Sequence, residues 1–262
     1  MAKKFYVVWR GRETGIFTDW NTCQNQVDRF PTAKFKSFST REEAEAAFRG
    51  KQPTATSRPK TDSAPERLPA KNKSNAQTVK TFTAAEIAAM RIETKIFTDG
   101  GCEPNPGEAG SGVAVYRNDV VAELWYGLFN PQGTNNTAEL NALNQALIMA
   151  KDEIGKDKSV AIFCDSKYSI QCVTQWAVNW EKNGWRKKNG EIKNLDLIKE
   201  MFALCQSLKY KIQVLHVNGH VGVEGNELAD RMSILAIETQ EVDFTLYGEE
   251  IDITSILAFR SG

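Results

Sequence analysis

The chain has 262 residues, of which 41% are hydrophobic and 25% are charged, and its formal net charge is zero. That length suits one or two domains with a sizeable core, and no apolar run approaches the roughly 18 residues that a membrane span needs. The five cysteines show no Cys-x-x-Cys spacing, and the first residues lack the long apolar core of a signal peptide, so we expect no membrane partner and a reducing, cytoplasmic location.

The zero net charge hides an asymmetry along the chain. Residues 1–50 carry nine Lys and Arg against six Asp and Glu, residues 51–80 carry seven against two, and residues 81–262 carry seventeen against twenty-five. A basic front and an acidic rear suggest that the front supplies much of the attraction to a polyanion, through phosphate contacts and counterion release.

Residues 1–50 are predicted to form a small α+β domain. Alternation and turn signals predict, in order, a strand over Phe5–Trp9, a short strand at Ile16–Phe17, a helix over Asn21–Phe30, a strand over Phe35–Phe38 and a helix through Phe48. A capping box that begins at Ser39 would start the last helix. Trp20 precedes a polar helix start, so it suits a core and a nucleic-acid platform equally well.

Residues 51–80 are rich in Pro, Ser, Thr and Lys and poor in large apolar side chains. Such a composition buries too little surface to fold, so this stretch is predicted to be a disordered basic linker. A larger domain over residues 81–236 follows, and it begins with a capping box at Thr83–Glu86 and a short helix.

In the larger domain, two apolar strands are each followed by an aspartate. The first, Ile96–Thr98, stops at Asp99 just before two glycines, and the second, Val160–Cys164, leads into Asp165. The two glycines leave the backbone open to a ligand. A carboxylate at such a strand end is costly to bury without a cation, a proton or solvent.

Two more carboxylates lie on helices, on faces that should pack against the sheet. Helical spacing places Glu139 with Leu143 and Ala146, and Asp230 lies one turn before Ile234. Taken singly, each of the four acids is most simply an ordinary surface residue. Taken together, they indicate a hard-cation site, because oxygen ligands suit magnesium and one carboxylate can bridge two ions.

The remaining elements follow from alternation and helical periodicity. They are strands over Gly112–Tyr116, Val120–Phe129 and Lys211–Val217, a turn at Asn118–Asp119 and a helix over Lys193–Leu208. The Thr134–Asn136 run precedes the Glu139 helix. There it either caps the helix, most simply through Asn136 or Thr137, or binds phosphate and sugar oxygens.

Aromatic and basic side chains cluster after the second strand-end aspartate. Trp176 and Trp180 share a helix face one turn apart, and Arg186–Lys188 follow. A tryptophan pair at this spacing suits either a core or a nucleic-acid groove. Of the two histidines, His216 lies within a strand and is most simply structural. His220 lies in a glycine-flanked loop, either as an ordinary loop residue or as an imidazole that carries a proton.

Six motifs occur in the order seen in type one ribonucleases H: Thr98–Cys102, Asn105–Gly107, Thr134–Leu140, Cys164–Tyr168, Gly219–His220 and Gly225–Asp230. Residues 94–236 therefore resemble that family. The resemblance implies an α/β, ribonuclease H-like fold with a mixed five-stranded sheet flanked by helices. It also implies hydrolysis of the RNA strand of an RNA/DNA hybrid.

The resemblance further implies roles for individual residues. Two Mg²⁺ ions, which Mn²⁺ can replace, would be held by Asp99, Glu139, Asp165 and Asp230. His220 would assist from a mobile loop. Thr134 and Asn194 would form a pocket for a DNA phosphate, with Gln132 where some relatives have arginine. The minor groove would be contacted by Asn105, Asn135 and Asn136. The segment that carries Trp176 and Trp180 would be the family's basic protrusion, which binds the DNA strand, above all through its Arg186–Lys188 tip.

A second resemblance covers the N-terminal domain. The hybrid-binding domain found ahead of many ribonucleases H is matched by Gly11–Arg12, Thr14–Phe17, Trp20 and Val27–Pro31. By position, Tyr6 and Trp20 would lie against the DNA backbone. Lys36 would contact phosphate, with Ser37 where the family often has a second lysine. Phe35 is left out of this set, because a strand aromatic is more often part of a core.

Together these features predict a monomeric endoribonuclease that uses two metal ions and leaves 3′-hydroxyl and 5′-phosphate ends. A non-catalytic hybrid-binding protein on the same fold and a DNA nuclease or integrase on a related fold are the alternatives. Residues 237–262 form an acidic extension beyond the family core, for which the sequence suggests no function. This extension is either loose or docked through Phe244–Tyr247 and Ile256–Phe259.

Overall fold

The computed structural model describes residues 4–27, 30, 33–49, 79–187, 190–208, 211–219 and 222–262. Two compact units contain them, one with residues 4–49 and one with residues 79–262. Most of the predicted linker, His220 and Lys188 lie outside the described residues. Within the described ranges, every helix is too short or too polar to cross a membrane.

The N-terminal unit is a three-stranded antiparallel sheet with two helices. Its elements are β1 (Phe5–Arg10), β2 (Gly15–Phe17), α1 (Trp20–Val27), β3 (Lys34–Phe38) and α2 (Arg41–Arg49), and the strand order is β2-β1-β3. Val8 of β1 and Cys23 of α1 are fully buried and form the centre of its small core.

Two helix ends differ from the sequence predictions. Helix α1 spans Trp20–Val27, and Phe30 is not helical, so the predicted helix end at Phe30 is wrong; residues 28 and 29 lie outside the described residues. Phe30 precedes a proline, and the proline ring disfavours the helical conformation of the residue before it. The cap of α2 is Thr40 rather than Ser39, because the Thr40 hydroxyl accepts a hydrogen bond from the Glu43 amide at 3.2 Å.

The larger unit is built on one mixed sheet. Its strands are β4 (Thr81–Phe82), β5 (Thr94–Glu103), β6 (Gly107–Arg117), β7 (Val120–Gly133), β8 (Val160–Cys164), β9 (Ile212–Val217) and β10 (Phe244–Leu246). The spatial order is β10-β7-β6-β5-β8-β9-β4. Neighbours from β10 to β5 pair antiparallel, and those from β5 to β4 pair parallel. The five expected strands form the centre, and two short strands extend the edges.

Helices cover both faces of this sheet. They are α3 (Ala84–Ala88), α4 (Asn135–Gly155), α5 (Lys167–Gln171), a π-helical turn (Cys172–Trp176), α6 (Ala177–Lys182), α7 (Leu195–Ser207), α8 (Glu224–Thr239) and α9 (Ile253–Leu257). The core around α4 and α7 fills one face, and the core around α8 fills the other. The predicted capping box of α3 is present, since Thr83 and Glu86 bond each other's backbone amides.

Strand β5 does not stop at Asp99 but continues through both glycines to Glu103. The glycines serve a close approach of helix to sheet. A Cβ atom at Gly100 would lie 2.3 Å from the Glu139 amide nitrogen of α4, and one at Gly112 would lie 2.1 Å from the Ala229 carbonyl oxygen of α8. Both helices that carry predicted carboxylates are therefore seated directly on the strands around Asp99.

The extension after residue 236 is docked on the sheet. Strand β10 pairs antiparallel with the outer edge of β7, and the Phe244 ring stacks on Trp125 with centroids 5.4 Å apart. Helix α9 buries Ile256 to 1% exposure in the core around α8. Gly127 permits the pairing, because its φ is +138° and a Cβ there would lie 1.8 Å from the Asp243 carbonyl oxygen. These contacts make the extension part of the fold.

Candidate active site

Four carboxylates from four elements meet beside the middle of β5 and the end of β8. Asp99 lies within β5, Glu139 on the second turn of α4, Asp165 directly after β8 and Asp230 on α8. Asp99, Glu139 and Asp230 are 4%, 6% and 2% exposed, and Asp165 is half-buried. The Asp230 carboxyl lies close enough to Asp99 to raise its pKa. Carboxylate oxygens of Glu139 and Asp165 lie within 4.8 Å of each other and of the Cys164 sulfur.

Burial and mutual repulsion make this cluster electrostatically costly. Burial first, and then the Asp165 and Asp230 carboxylates, raise the pKa of Asp99 well above its ordinary value. Burial, followed by Asp99 and Asp165, raises the pKa of Glu139 in the same way. Both shifts mean that the negative charges are poorly compensated by the protein, so a bound cation would relieve them.

Polar neighbours hold some of the carboxylate oxygens. The Gly100 amide donates to Asp99 Oδ1 at 2.8 Å, and Asn226 Nδ2 donates to Asp165 Oδ2 at 3.5 Å. Glu139 Oε2 is buried and has no hydrogen-bond partner among the described residues. An all-oxygen donor set with an orphaned buried oxygen fits a hard divalent cation.

Asp230 receives contacts that the sequence analysis missed. The Arg231 guanidinium donates to its Oδ2, and the Gly262 amide donates to its Oδ1 at 3.1 Å. Arg231 follows Asp230 directly, and adjacency was its only signal in the sequence. Gly262 is 32 residues away, so only the docked extension brings it to this carboxylate.

The structure gives His216 a structural place beside the cluster. Its ring is 4% exposed and bridges the Asp165 carbonyl oxygen, 3.1 Å from Nε2, and the Thr81 hydroxyl, 2.8 Å from Nδ1. Burial, followed by the charge of Lys167, lowers the pKa of His216. His220 lies outside the described residues, but Gly219 before it abuts the site, since a Cβ there would lie 2.3 Å from Asp165 Oδ2.

Sequence comparison places this geometry in a known family. The family model for RNase H matches residues 91–238, and that for the Ribonuclease H1 N-terminal domain matches residues 4–48. The chain belongs to the ribonuclease H family. It is therefore a hydrolase of the nuclease class.

Relatives match almost the whole chain. Ribonuclease H1 of Mus musculus is 33% identical and that of Homo sapiens 31% identical, each over 87% of this chain and 87% of the relative. Among solved structures, LC9-RNase H1, a type 1 RNase H, superposes with a TM-score of 0.51 at 24% identity over 63% of this chain and 80% of that chain. This likeness supports the ribonuclease H-like fold.

The ribonuclease H unit also has a cavity of about 450 Å³ at the start of α4. It is lined by Asn105, Thr134, Asn136, Thr137, Tyr168, Lys193 and Asn194. The structure thus brings the two predicted phosphate-pocket residues together with two of the predicted minor-groove residues. Asn135 is next to them, because its amide donates to Asn105 Oδ1 at 3.3 Å. Gln132 is not among the lining residues.

Hydrogen bonds within this cavity settle how α4 begins. Thr134 is the cap, since its hydroxyl accepts from the Thr137 amide at 3.2 Å, so capping by Thr137 or Asn136 is excluded. The Thr137 hydroxyl donates in turn to Asn194 Oδ1 at 3.2 Å. Lys193 and Tyr168 are lining residues that sequence reasoning missed, although Lys193 is adjacent to Asn194.

An aromatic row leads away from the cavity. Tyr168, Trp176 and Trp180 follow one another with ring centroids 5.8 Å and 5.9 Å apart, and all three are half-buried against the core around α4. The tryptophans pack on the core and keep part of their surface accessible, so their role in nucleic-acid binding stays a prediction. Arg186 and Lys187 are exposed beyond this row.

In the N-terminal unit, three aromatic side chains form an exposed cluster. Trp20 lies 5.4 Å from Tyr6 and 5.8 Å from Phe35 between ring centroids, and Trp20 and Phe35 are 42% and 44% exposed. Phe35, which the sequence analysis left out of the contact set, is therefore exposed beside Trp20 rather than part of a core. Lys36 is exposed but alternates to the opposite face of β3, paired with Val7. Tyr6 and Trp20 thus meet, whereas Lys36 points away from them.

Proposed function

We propose that this chain is an endoribonuclease that hydrolyses the RNA strand of RNA/DNA hybrids and leaves 3′-hydroxyl and 5′-phosphate ends. The observation that carries the proposal is the convergence of Asp99, Glu139, Asp165 and Asp230, with Glu139 Oε2 buried and unpartnered among the described residues. A family member that only bound hybrids would have no need to bear the cost of that cluster.

The four carboxylates would hold two divalent ions, Mg²⁺ with Mn²⁺ as a substitute. When bound, such ions supply an activated water and stabilise the leaving 3′ oxygen. The protein's part is to hold the ligands in place: the Gly100 amide fixes Asp99, Asn226 orients Asp165, and the docking of α4 on Gly100 sets Glu139 beside them. His220 would assist product release or proton transfer from its loop.

Substrate selection would come from both units. The cavity with Thr134, Lys193 and Asn194 suits a phosphate of the DNA strand, because hydroxyl, amide and ammonium donors converge there. Asn105, Asn135 and Asn136 would read the minor groove, where RNA presents its 2′-hydroxyls. Trp176 and Trp180 would lie along the DNA strand. In the N-terminal unit, Tyr6 and Trp20 would contact the DNA backbone and Lys36 a phosphate.

The proposed organisation follows the sequence. Residues 1–50 are a hybrid-binding domain, residues 51–80 a linker, residues 81–236 the catalytic domain and residues 237–262 its extension. The protein would act as a monomer, because one chain supplies all four carboxylates, and in the cytoplasm, because the five cysteines are free thiols.

Cleavage assays on three duplexes test the function. With Mg²⁺, wild-type protein is expected to cut the RNA of an end-labelled RNA/DNA hybrid and to leave duplex RNA and duplex DNA intact. Chelation should abolish cleavage. Without the ions, the negatively charged carboxylates repel one another and cannot supply the positive charge that the reaction needs. Tight hybrid binding without any cleavage would favour a hybrid-binding protein, and cleavage of duplex DNA would favour a DNA nuclease.

The exposed aromatic cluster supports a further expected result. Trp20→Ala should weaken hybrid binding by about 1–3 kcal/mol, or roughly 5- to 150-fold in Kd, because the central ring of the cluster is lost. Phe48→Ala is the matched control, since Phe48 is 39% exposed on α2, outside this cluster. Fluorescence anisotropy with a labelled hybrid in chelator measures both variants. Equal affinities of the two variants would exclude Trp20 from the binding surface.

A further inference from the structure

A thiol lies against the catalytic carboxylates, and the proposed hydrolysis does not use it. Cys164 is the last residue of β8, directly before Asp165, and it is fully buried. Its sulfur, a carboxylate oxygen of Glu139 and one of Asp165 all lie within 4.8 Å of one another. Mg²⁺ prefers oxygen ligands to sulfur, so this thiol would not contribute to a Mg²⁺ site.

The Cys164 sulfur and its neighbour Glu139 make only weak or incomplete hydrogen bonds, so a metal ion could bind them more strongly. The hydrogen bond from the Cys164 thiol to the Ser166 carbonyl oxygen is long, at 3.8 Å. Glu139 is 6% exposed, and its Oε2 has no hydrogen-bond partner among the described residues. Asp165 is the half-buried member of the three, so it borders the route from solvent.

We propose that Cys164, Glu139 and Asp165 form a binding site for a thiophilic divalent cation, Zn²⁺ or Cd²⁺. One thiolate and two carboxylates are three protein ligands, and a water molecule completes the tetrahedral set that zinc prefers. Coordination converts the thiol to a thiolate and releases its proton to solvent. The ligand atoms must draw in from their present spacing to bonds of about 2.0–2.3 Å, and the half-buried Asp165 side chain is placed to supply that movement.

This site would share Glu139 and Asp165 with the Mg²⁺ centre. A thiophilic ion should therefore inhibit cleavage, and Mg²⁺ in excess should relieve the inhibition only at low Zn²⁺ or Cd²⁺ concentrations, because the thiolate holds the softer ion more tightly. This consequence for activity rests on the proposed function. The binding of the ion does not.

The test titrates Cd²⁺ into the full chain without nucleic acid and records the ultraviolet charge-transfer absorbance of the cadmium–thiolate bond. Wild-type protein is expected to show saturable absorbance. Cys164→Ser should lose it and bind Cd²⁺ roughly 10- to 100-fold more weakly or worse, on the scale seen when the support of a metal ligand is removed. Cys102→Ser, at a half-buried cysteine outside the three-residue cluster, should behave as wild type.

A second variant keeps the test informative if Cys164→Ser fails to fold. Glu139→Gln keeps the thiol and removes a carboxylate, so it should retain thiolate absorbance with weaker Cd²⁺ affinity, while circular dichroism reports the fold of each variant. Absent absorbance in the wild type, or full absorbance in folded Cys164→Ser, would overturn the proposal. A protein that binds Cd²⁺ this way but cuts no hybrid would instead refute the proposed function alone.

Discussion

Asp99→Asn is expected to abolish Mg²⁺-dependent cleavage of hybrids and to raise the melting temperature of the metal-free protein at pH 7. The loss should reach about 10³-fold or more, since divalent ions contribute several kcal/mol to such reactions and each 1.4 kcal/mol is tenfold in rate. The gain in stability arises because the asparagine amide carries no charge, whereas the Asp99 carboxylate is only 4% exposed and lies beside Asp165 and Asp230.

The gain should depend on pH in a defined direction. The pKa of Asp99 is raised in the folded state, chiefly by burial, so the folded protein binds this proton more tightly than the unfolded chain does. Its contribution to stability is therefore complete below the ordinary value of 3.8 and is lost as the pH rises through the raised folded pKa. The advantage of the asparagine variant should appear over that same range and vanish near pH 3.8.

Thermal unfolding in chelator from about pH 4 to pH 8 measures this effect. We expect a gain of about 1–4 kcal/mol, the range seen when buried charged groups are replaced by uncharged ones of similar volume. The melting temperature should rise by roughly 2–4 °C for each kcal/mol in a unit of this size. Asp152→Asn is the control, because Asp152 is exposed on α4, and it should change neither cleavage nor stability. A destabilised but inactive Asp99→Asn protein would mean that the carboxylate is structural.

Ile256→Ala is expected to lower the free energy of unfolding of the larger unit by about 2–5 kcal/mol, the usual cost of emptying a buried site of this size. Ile256 is 1% exposed and belongs to the core around α8. The melting temperature should fall by roughly 4–20 °C. Such a loss would show that the acidic extension stabilises the catalytic domain.

Urea unfolding of the full chain measures this loss, with Val242→Ala as the control. Val242 belongs to the same extension but is 64% exposed, so its truncation should change the free energy of unfolding by less than about 0.5 kcal/mol. If Ile256→Ala proves as harmless as the control, the extension is not docked in solution. Removal of β10 would also uncover the edge of β7, and an exposed edge strand favours aggregation.

The sequence alone determined the type and order of most elements, because alternation and helical periodicity are local properties. It also singled out Asp99 and Asp165 at the ends of apolar runs and placed Glu139 on an inward helix face. The motif resemblance then joined these carboxylates into one site, because it rests on several separated motifs in a fixed order. Its family assignment is confirmed by the match over residues 91–238.

Other features depend on contacts between residues far apart in the chain, and those only the tertiary structure decided. Strand β5 runs on past Asp99 because β6 pairs with it as far as Glu103, and glycines in these two strands let helices approach closely; no local pattern reveals either contact. Phe35 meets Trp20 on an exposed face of the small sheet, and the position of Lys36 on the other face follows from strand register.

The docking of the extension and the surroundings of the Cys164 thiol also depend on contacts between distant residues, so the sequence did not predict them. Whether Phe244–Leu246 docks depends on a free edge of β7 and on the positive φ of Gly127, 117 or more residues earlier in the chain. In the sequence, Cys164 is simply one more apolar residue of a buried strand. In the structure, helix α4 places Glu139 close to its sulfur. Periodicity specifies which face of an element is buried, but the neighbours of that face are chosen by packing between elements.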